Sequence, residues 1–332
     1  MDHNNYKYKY YKYALKLTNL KKMLGGHNFN ELKNYLDMRD TFAVMIMQGK
    51  QNPQVIFEYG NISEPTNVAS VRKTVLGILY GMYDIDLTKT LDELQITDVG
   101  DLLPKEKQAT IGDLLAARSG VYHPASNPGD NPNKPERGDK DPGTFYLYNN
   151  WDFNVAGTIF EQVTGISIFD ALNDLGKKIG FEDYDIDKHK QVAERRKTIN
   201  RSVSIHPPYQ MFLSARDMGK IGLLMLNNGK WNGEQLVPSD WIKKMTTIIS
   251  SKLEVNPRYA YGYMCKLFDE EQEHFLSGAY FASGKGEQNI MVIPKLNMVI
   301  VIKGASTDVL RKQMVKIKYM EVIDLVKESL SR

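Results

Sequence analysis

A serine and a lysine three residues apart, Ser70 and Lys73, stand at the front of the apolar run Val68-Ala69-Ser70-Val71-Arg72-Lys73-Thr74-Val75-Leu76-Gly77-Ile78-Leu79-Tyr80. Val71, Val75, Ile78 and Met82 recur at helical spacing, so the run is expected to be a helix with Ser70 and Lys73 on one face. A serine at a helix start sits among unpaired backbone N–H groups, near the positive end of the dipole. A lysine buried beside it tends to lose its proton, because removal from water disfavours the ammonium form. A neutral amine within reach of a hydroxyl is one route to a nucleophilic serine. Taken alone, the four residues from Ser70 to Lys73 fit a commoner arrangement better, a capping serine followed by a solvated lysine. The rest of the chain has to decide.

Other groups with chemical capacity are few. His123 and His206 stand in loop segments that could border a cleft, where each would contact substrate or simply satisfy its own ring nitrogens. Asp183, Asp185, Asp187 and Glu194 match acidic positions of a calcium-binding loop, but Lys188 replaces the glycine that the sharp turn requires. The single cysteine, Cys265, rules out an internal disulfide and any multi-thiolate metal centre. No HExxH, Walker loop or dinucleotide-binding glycine pattern is present, so neither a metal nor a cofactor is expected. A net charge of +3, from 43 basic and 40 acidic residues, gives no reason to expect a nucleic-acid partner. No apolar stretch approaches the roughly 18 residues of a membrane span. The first residues are basic but lack the continuous apolar core of a secretory signal, which points to a cytoplasmic protein. The oligomeric state is not legible.

The elements that must position Ser70 follow from local patterning. The alternating Tyr6–Tyr13 stretch of tyrosines and lysines is expected to be a tail, or an arm for an anionic surface. A short helix around Leu32, Tyr35 and Leu36 precedes a hairpin of Phe42–Gln48 and Val55–Tyr59, directly before the Ser70 helix. From 84 to 233 the pattern is mainly helical. It includes Ile111–Ala117, a helix from about Asp152 to Val163, and further helices near 168–179, 214–228 and 239–248. Five prolines between 124 and 143 mark an irregular loop leading into Phe145-Tyr146-Leu147-Tyr148-Asn149-Asn150-Trp151. Tyr259–Leu267, Phe275–Ala282, Gln288–Ile293 and Met298–Ile302 read as strands of a meander. A closing helix follows with Leu310, Met314, Ile317, Ile323 and Val326 as its apolar stripe. The expected class is α+β: an antiparallel sheet from both chain ends, flanked by helices, with an inserted all-helical lobe. In residues, a basic segment at 1–27 precedes a sheet lobe at 28–83 and 234–332. The helical lobe spans 84–233, with the active site between the lobes.

Four stretches in this order resemble the serine β-lactamase and penicillin-binding-protein superfamily, nearest its class C β-lactamase and esterase branch. Ser70-Val71-Arg72-Lys73 is similar to the nucleophile motif and Tyr148-Asn149-Asn150 to the Tyr-x-Asn motif. Ile111–Gly120 resembles the "LL-x-x-x-SG" segment and Leu213–Gly222 the "S-A-x-D-x-x-x-x-G" helix. The resemblance implies that Ser70 attacks an acyl carbon, and that Lys73 and Tyr148 share its proton, with Tyr148 as phenolate or as a relay. It implies that Asn150 holds Lys73 or the substrate carbonyl. The oxyanion would be held by the Ser70 N–H and one from the edge strand before Gly284. Arg72 should point away and be structural. Taken singly, Tyr148 and Asn150 would be an aromatic core residue and a helix N-cap.

One motif of that superfamily is missing. Its Lys-Thr-Gly strand has no counterpart here, and Ala282-Ser283-Gly284 takes the place, with alanine where a carboxylate-binding cation stands. This favours a small ester or amide substrate, as in the branch that includes 6-aminohexanoate-dimer hydrolases, over a D-Ala-type peptidase or β-lactamase. A non-catalytic relative acting as a binding protein is the remaining alternative. Ala282, Ser283, Gly284, His123 and Trp151 are expected to border the substrate.

Overall fold

The structure is a computed structural model, and it describes residues 27–331 apart from 51, 130, 132, 189, 191–198, 270–274 and 305–314. The Tyr6–Tyr13 stretch, Glu194, Leu310 and Met314 lie outside the described residues. In chain order the elements are α1 (Asn30–Asp37), β1 (Arg39–Gln48), β2 (Gln54–Gly60), β3 (Thr66–Asn67), α2 (Val71–Met82), α3 (Ile111–Leu115), α4 (Asn150–Thr164) and α5 (Ile168–Ile179). Then come β4 (Phe212–Leu213), α6 (Ala215–Leu226), β5 (Lys230–Trp231), β6 (Glu234–Gln235), α7 (Ser239–Met245), α8 (Lys252–Val255), β7 (Ala260–Tyr261) and β8 (Lys266–Leu267). The last are β9 (Tyr280–Gly284), β10 (Gln288–Ile293), β11 (Met298–Gly304), β12 (Val315–Lys316) and α9 (Tyr319–Ser331).

The chain divides into two compact units, Phe42–Val309 and Met1–Thr41 with Leu310–Arg332. In the smaller, α1 buries Leu32, Tyr35 and Leu36, and packs on α9, which buries Val322, Ile323 and Val326. The Lys318 N–H donates to Tyr35 Oη at 3.1 Å. Arg39 and Asp40 pair in parallel with Val315 and Lys316. Patterning missed β12, because a two-residue strand carries no periodicity. The closing helix accordingly begins at Tyr319, beyond Ile317.

The larger unit carries the expected sheet. Ala43–Gln48 of β1 pairs antiparallel with β2, and the order continues from β1 through β11, β10, β9 and β8 to β7. The last five strands form the antiparallel meander. Tyr259–Leu267, expected as one strand, is two short ones, broken at a turn where Met264 has a φ of 51°. The strand expected from Phe275 starts only at Tyr280. α6 lies on β10 and β11, and a Cβ on Gly222 would come within 2.4 Å of Val299 Cγ1, so glycine permits the close approach. α2 is buried on every side from Val71 to Gly81, against β9, α4, α5 and α7. A helix whose residues are apolar on nearly every side belongs in a core, and Arg72, Lys73 and Thr74 are the polar exceptions at its first turn. The four-three-four pattern marked only part of that burial.

Candidate active site

Ser70 stands at the point where the chain enters α2. Ala69, just before it, has a φ of 48°, an uncommon conformation for a residue with a side chain. Asn67 Oδ1 holds it there by accepting from the Ala69 N–H at 2.8 Å. Backbone strain of this kind persists only where surrounding contacts impose it. Ser70 occupies the N-cap position but makes no capping bond. Its Oγ instead accepts from Lys73 Nζ at 3.1 Å. Lys73 is 1% exposed, far from the solvated lysine that the local residues alone favoured. Its ammonium end also reaches Tyr148 Oη at 2.7 Å and Asn150 Oδ1 at 3.0 Å. Lys73 is thus enclosed while Ser70, Tyr148 and Asn150 remain partly accessible.

Burial pushes Lys73 well below the usual lysine range, and the positive charges of Arg72 and Lys266 add to this. The Tyr148 and Phe153 rings, centred 4.3 and 4.5 Å from Nζ, offset part of the effect, since aromatic faces attract a cation. Burial acts in the opposite direction on Tyr148, pushed up to about 12 despite the Ser70 hydrogen bond and the Arg72 charge. Both groups are therefore driven towards their neutral forms, amine and phenol. A neutral amine 3.1 Å from a hydroxyl is placed to accept its proton, and a phenol beside it to pass one on.

Three supports hold this cluster. Asn149, not Asn150, caps α4: its Oδ1 accepts from the Trp151 N–H at 3.0 Å while its amide donates to Val121 O at 2.8 Å. That leaves Asn150 free to face Lys73. Ser119 Oγ donates to Asp152 Oδ1 at 2.7 Å, tying the end of the Ile111–Gly120 segment to the first turn of α4. Gly120 has a φ of 69°, and a Cβ there would lie 2.9 Å from Lys140 O. Opposite α2 runs β9. A Cβ on Gly284 would come within 2.5 Å of Val68 O and 2.9 Å of the Ser70 nitrogen, so only glycine lets the strand lie this close.

The family model for beta-lactamase matches residues 63–310, which span all of these groups. The chain belongs to the beta-lactamase family. Solved structures of similar fold include a Bacillus anthracis protein described as a 6-aminohexanoate-dimer hydrolase, with 22% identity and a TM-score of 0.61 over 90% of this chain and 80% of that one. A penicillin-binding protein from Bacillus halodurans has 15% identity and a TM-score of 0.62 over 90% and 99% of the two chains. A family VIII carboxylesterase has 14% identity and a TM-score of 0.61 over 90% and 96%. No curated protein sequence matches the chain.

In this member of the beta-lactamase family the remaining expected residues are placed unevenly. Ala282 is buried, and Ser283 and Gly284 are partly accessible on β9. Trp151 and His123, expected to border substrate, are 0% and 2% exposed and belong to a buried cluster around Asp98. Asp98 accepts from Trp151 Nε1 at 2.7 Å, from Ser204 Oγ at 2.6 Å and from the Ile205 N–H at 2.8 Å. His123 Nε2 lies 2.8 Å from Val99 O, and His206 Nε2 2.9 Å from Thr97 O, so both rings are engaged by backbone. Nothing in the pattern around Asp98 marked it as the hub. Its partners come from three distant segments. Arg72, expected to be structural, donates to Ala69 O at 3.3 Å and lies over the Tyr209 ring. The segment Leu213–Gly222 supplies a cap rather than chemistry: Ser214 caps α6, and Asp217 accepts from the Glu182 and Asp183 N–H groups. Asp183, one of the four acidic residues matching a calcium loop, pairs with Arg216. Among the described residues no group of three or more His, Cys, Asp or Glu is arranged to hold a metal. No helix among them is long and apolar enough to cross a membrane.

Proposed function

We propose that the chain is a serine hydrolase that cleaves a small ester or amide through a covalent acyl-enzyme on Ser70, with Lys73, Tyr148 and Asn150 as its catalytic partners. The observation that carries this is the buried Lys73 Nζ in simultaneous contact with Ser70 Oγ, Tyr148 Oη and Asn150 Oδ1. Ser70 Oγ attacks the carbonyl carbon as its proton passes to the Lys73 amine. Two backbone donors would suit the resulting oxyanion: the N–H groups of Ser70 and of Lys285, next to Gly284, have no backbone acceptor among the described residues. This reading takes the donor just after Gly284, where the sequence expectation took one from the strand before it. On collapse, Tyr148 protonates the leaving oxygen or nitrogen and is reprotonated from Lys73. Water then enters, gives its proton to the amine and releases the acid, and Ser70 recovers its proton. Asn150 orients Lys73 throughout. The lobes expected at 28–83 with 234–332 and at 84–233 would contribute, respectively, Ser70 with β9 and the Tyr148–Asn150 turn.

Ala282 leaves the Lys-Thr-Gly position itself without the cation that would meet a penicillin carboxylate there, which supports an ester or amide over a β-lactam. A fluorophosphonate probe is expected to label the wild-type protein by one phosphonyl group on Ser70. Ser70→Ala should abolish labelling and lower turnover of short 4-nitrophenyl esters by at least about 10³-fold. Wild-type protein that neither labels nor turns over these esters sinks the proposal. Turnover that survives Ser70→Ala does so as well.

A further inference from the structure

Lys266 is a cation placed where an ammonium group is costly. It is partly buried on β8, its Nζ 4.5 Å from the centre of the Tyr259 ring and 5.7 Å from that of Phe281. No carboxylate among the described residues lies within ion-pair distance of it, and Glu287 acts on it only through its field. Burying a charge without a partner is expensive, and aromatic faces recover only part of the loss.

Its position ties it to the Ser70 cluster. Lys266 is directly opposite Tyr261 on β7 and Phe281 on β9. Cross-strand partners share a sheet face and alternate residues along a strand do too, so Tyr259, Tyr261, Lys266, Phe281 and Ser283 all lie on one side. The Tyr261 ring is 6.2 Å from that of Tyr148 and 5.4 Å from that of Tyr146. Lys266 is also near enough for its charge to be felt at Lys73. Among the described residues this cation has no ion-pair partner, and it shares its sheet face with Ser283 and with Tyr261, whose ring meets that of Tyr148, so an anion supplied by a substrate would complete it.

We infer that Lys266 anchors a carboxylate carried by the substrate, so that the preferred ester or amide is an anionic one. This rests on the hydrolase proposal above for its turnover, though not for its binding. At neutral pH the lysine is still charged, since burial lowers it only to about 8. A charge-assisted contact of this kind is worth tenfold or more in discrimination.

The test compares charged and neutral substrates in two series, one with the anion on the acyl side of the scissile bond and one with it on the leaving-group side. The first pairs mono-4-nitrophenyl glutarate with 4-nitrophenyl butyrate. The second pairs 4-acetoxybenzoate with 4-acetoxybenzamide. In at least one series the wild type should favour the anion in kcat/KM by about tenfold or more. Lys266→Met should remove that preference, Lys266→Arg should keep it, and in the wild type it should fade as pH rises past about 8. Taking the ratio cancels any change that Lys266 makes through Lys73, because both substrates feel it alike. Glutarate should raise the Tm of the wild type and not of Lys266→Met, a readout independent of turnover. If no ester is turned over, the hydrolase proposal fails and the glutarate shift alone decides Lys266. Equal ratios in wild type and Lys266→Met in both series, even with a shifted pH profile, overturn the inference and leave Lys266 as a group that only tunes Lys73. Should Lys266→Met not fold, the wild-type preference and its loss above pH 8 still decide.

Discussion

At the scale of single residues, the decisive feature is that burial drives Lys73 and Tyr148 in opposite directions on the pH axis, each towards its neutral form. The sequence-based expectation left two bases open, a Tyr148 phenolate or a relay to Lys73. The directions favour the second. The working form of Lys73 is the amine, and it is lost as pH falls through a value well below the ordinary 10.5. Plots of kcat/KM against pH for a neutral ester should therefore show an acid limb with activity rising as pH rises. No loss from Tyr148 should appear until pH nears 12. Tyr148→Phe should lower the plateau by about 10²–10⁴-fold yet leave the acid limb in place. An alkaline limb centred between pH 8 and 10 that disappears in Tyr148→Phe would instead assign the base to the phenolate.

Elements decide whether these residues meet. β9 touches the start of α2 through Gly284, and the proposed oxyanion donors, the N–H groups of Ser70 and Lys285, depend on that approach. Gly284→Ala would force its methyl into Val68 O and the Ser70 nitrogen, both backbone atoms that cannot step aside. Loss of one oxyanion donor typically costs about 10²–10³-fold in rate, so kcat should fall by that order. Fluorophosphonate labelling should slow in parallel. An alanine variant with unchanged kcat would show that β9 is not part of the site. Much of this was legible in the chain. Helical spacing located α2, and the prolines before Phe145 marked the loop that delivers Tyr148. Gly165 and Gly180, both left-handed, end α4 and α5 where the pattern stops. What the sequence concealed was long-range. The close approach of Gly284 depends on which strand lies against α2, and Trp151 is drawn inward by Asp98, 53 residues away. A tryptophan next to a reactive turn reads the same whether it faces substrate or core.

On the scale of the whole molecule, the larger unit holds two lysines away from water and a third partly so, with consequences for stability as well as for chemistry. Lys303 on β11 is 0% exposed; it donates to Leu213 O and faces the Phe42 ring, and burial lowers it to about 7. Lys266 is lowered to about 8, and Lys73 is lowered well below its ordinary value. A lysine whose folded pKa is depressed binds fewer protons folded than unfolded between that pKa and 10.5. Stability must therefore rise with pH across this window, by up to about 1.4 kcal/mol per pH unit for each such group. The buried tyrosines oppose this at the alkaline end. Tyr80, Tyr146, Tyr261 and Tyr280 are all raised by burial, so above about pH 10 the unfolded chain releases protons that the folded one retains. The urea midpoint should accordingly climb from pH 7 towards 9 or 10 and then decline. Lys303→Met, which exchanges a buried amine for an apolar chain of similar reach, should be at least as stable as the wild type at pH 7. It should also flatten the climb by about 1 kcal/mol or more per pH unit. A midpoint that peaks near pH 6, or a variant curve parallel to the wild type, would mean that Lys303 keeps its proton inside the fold.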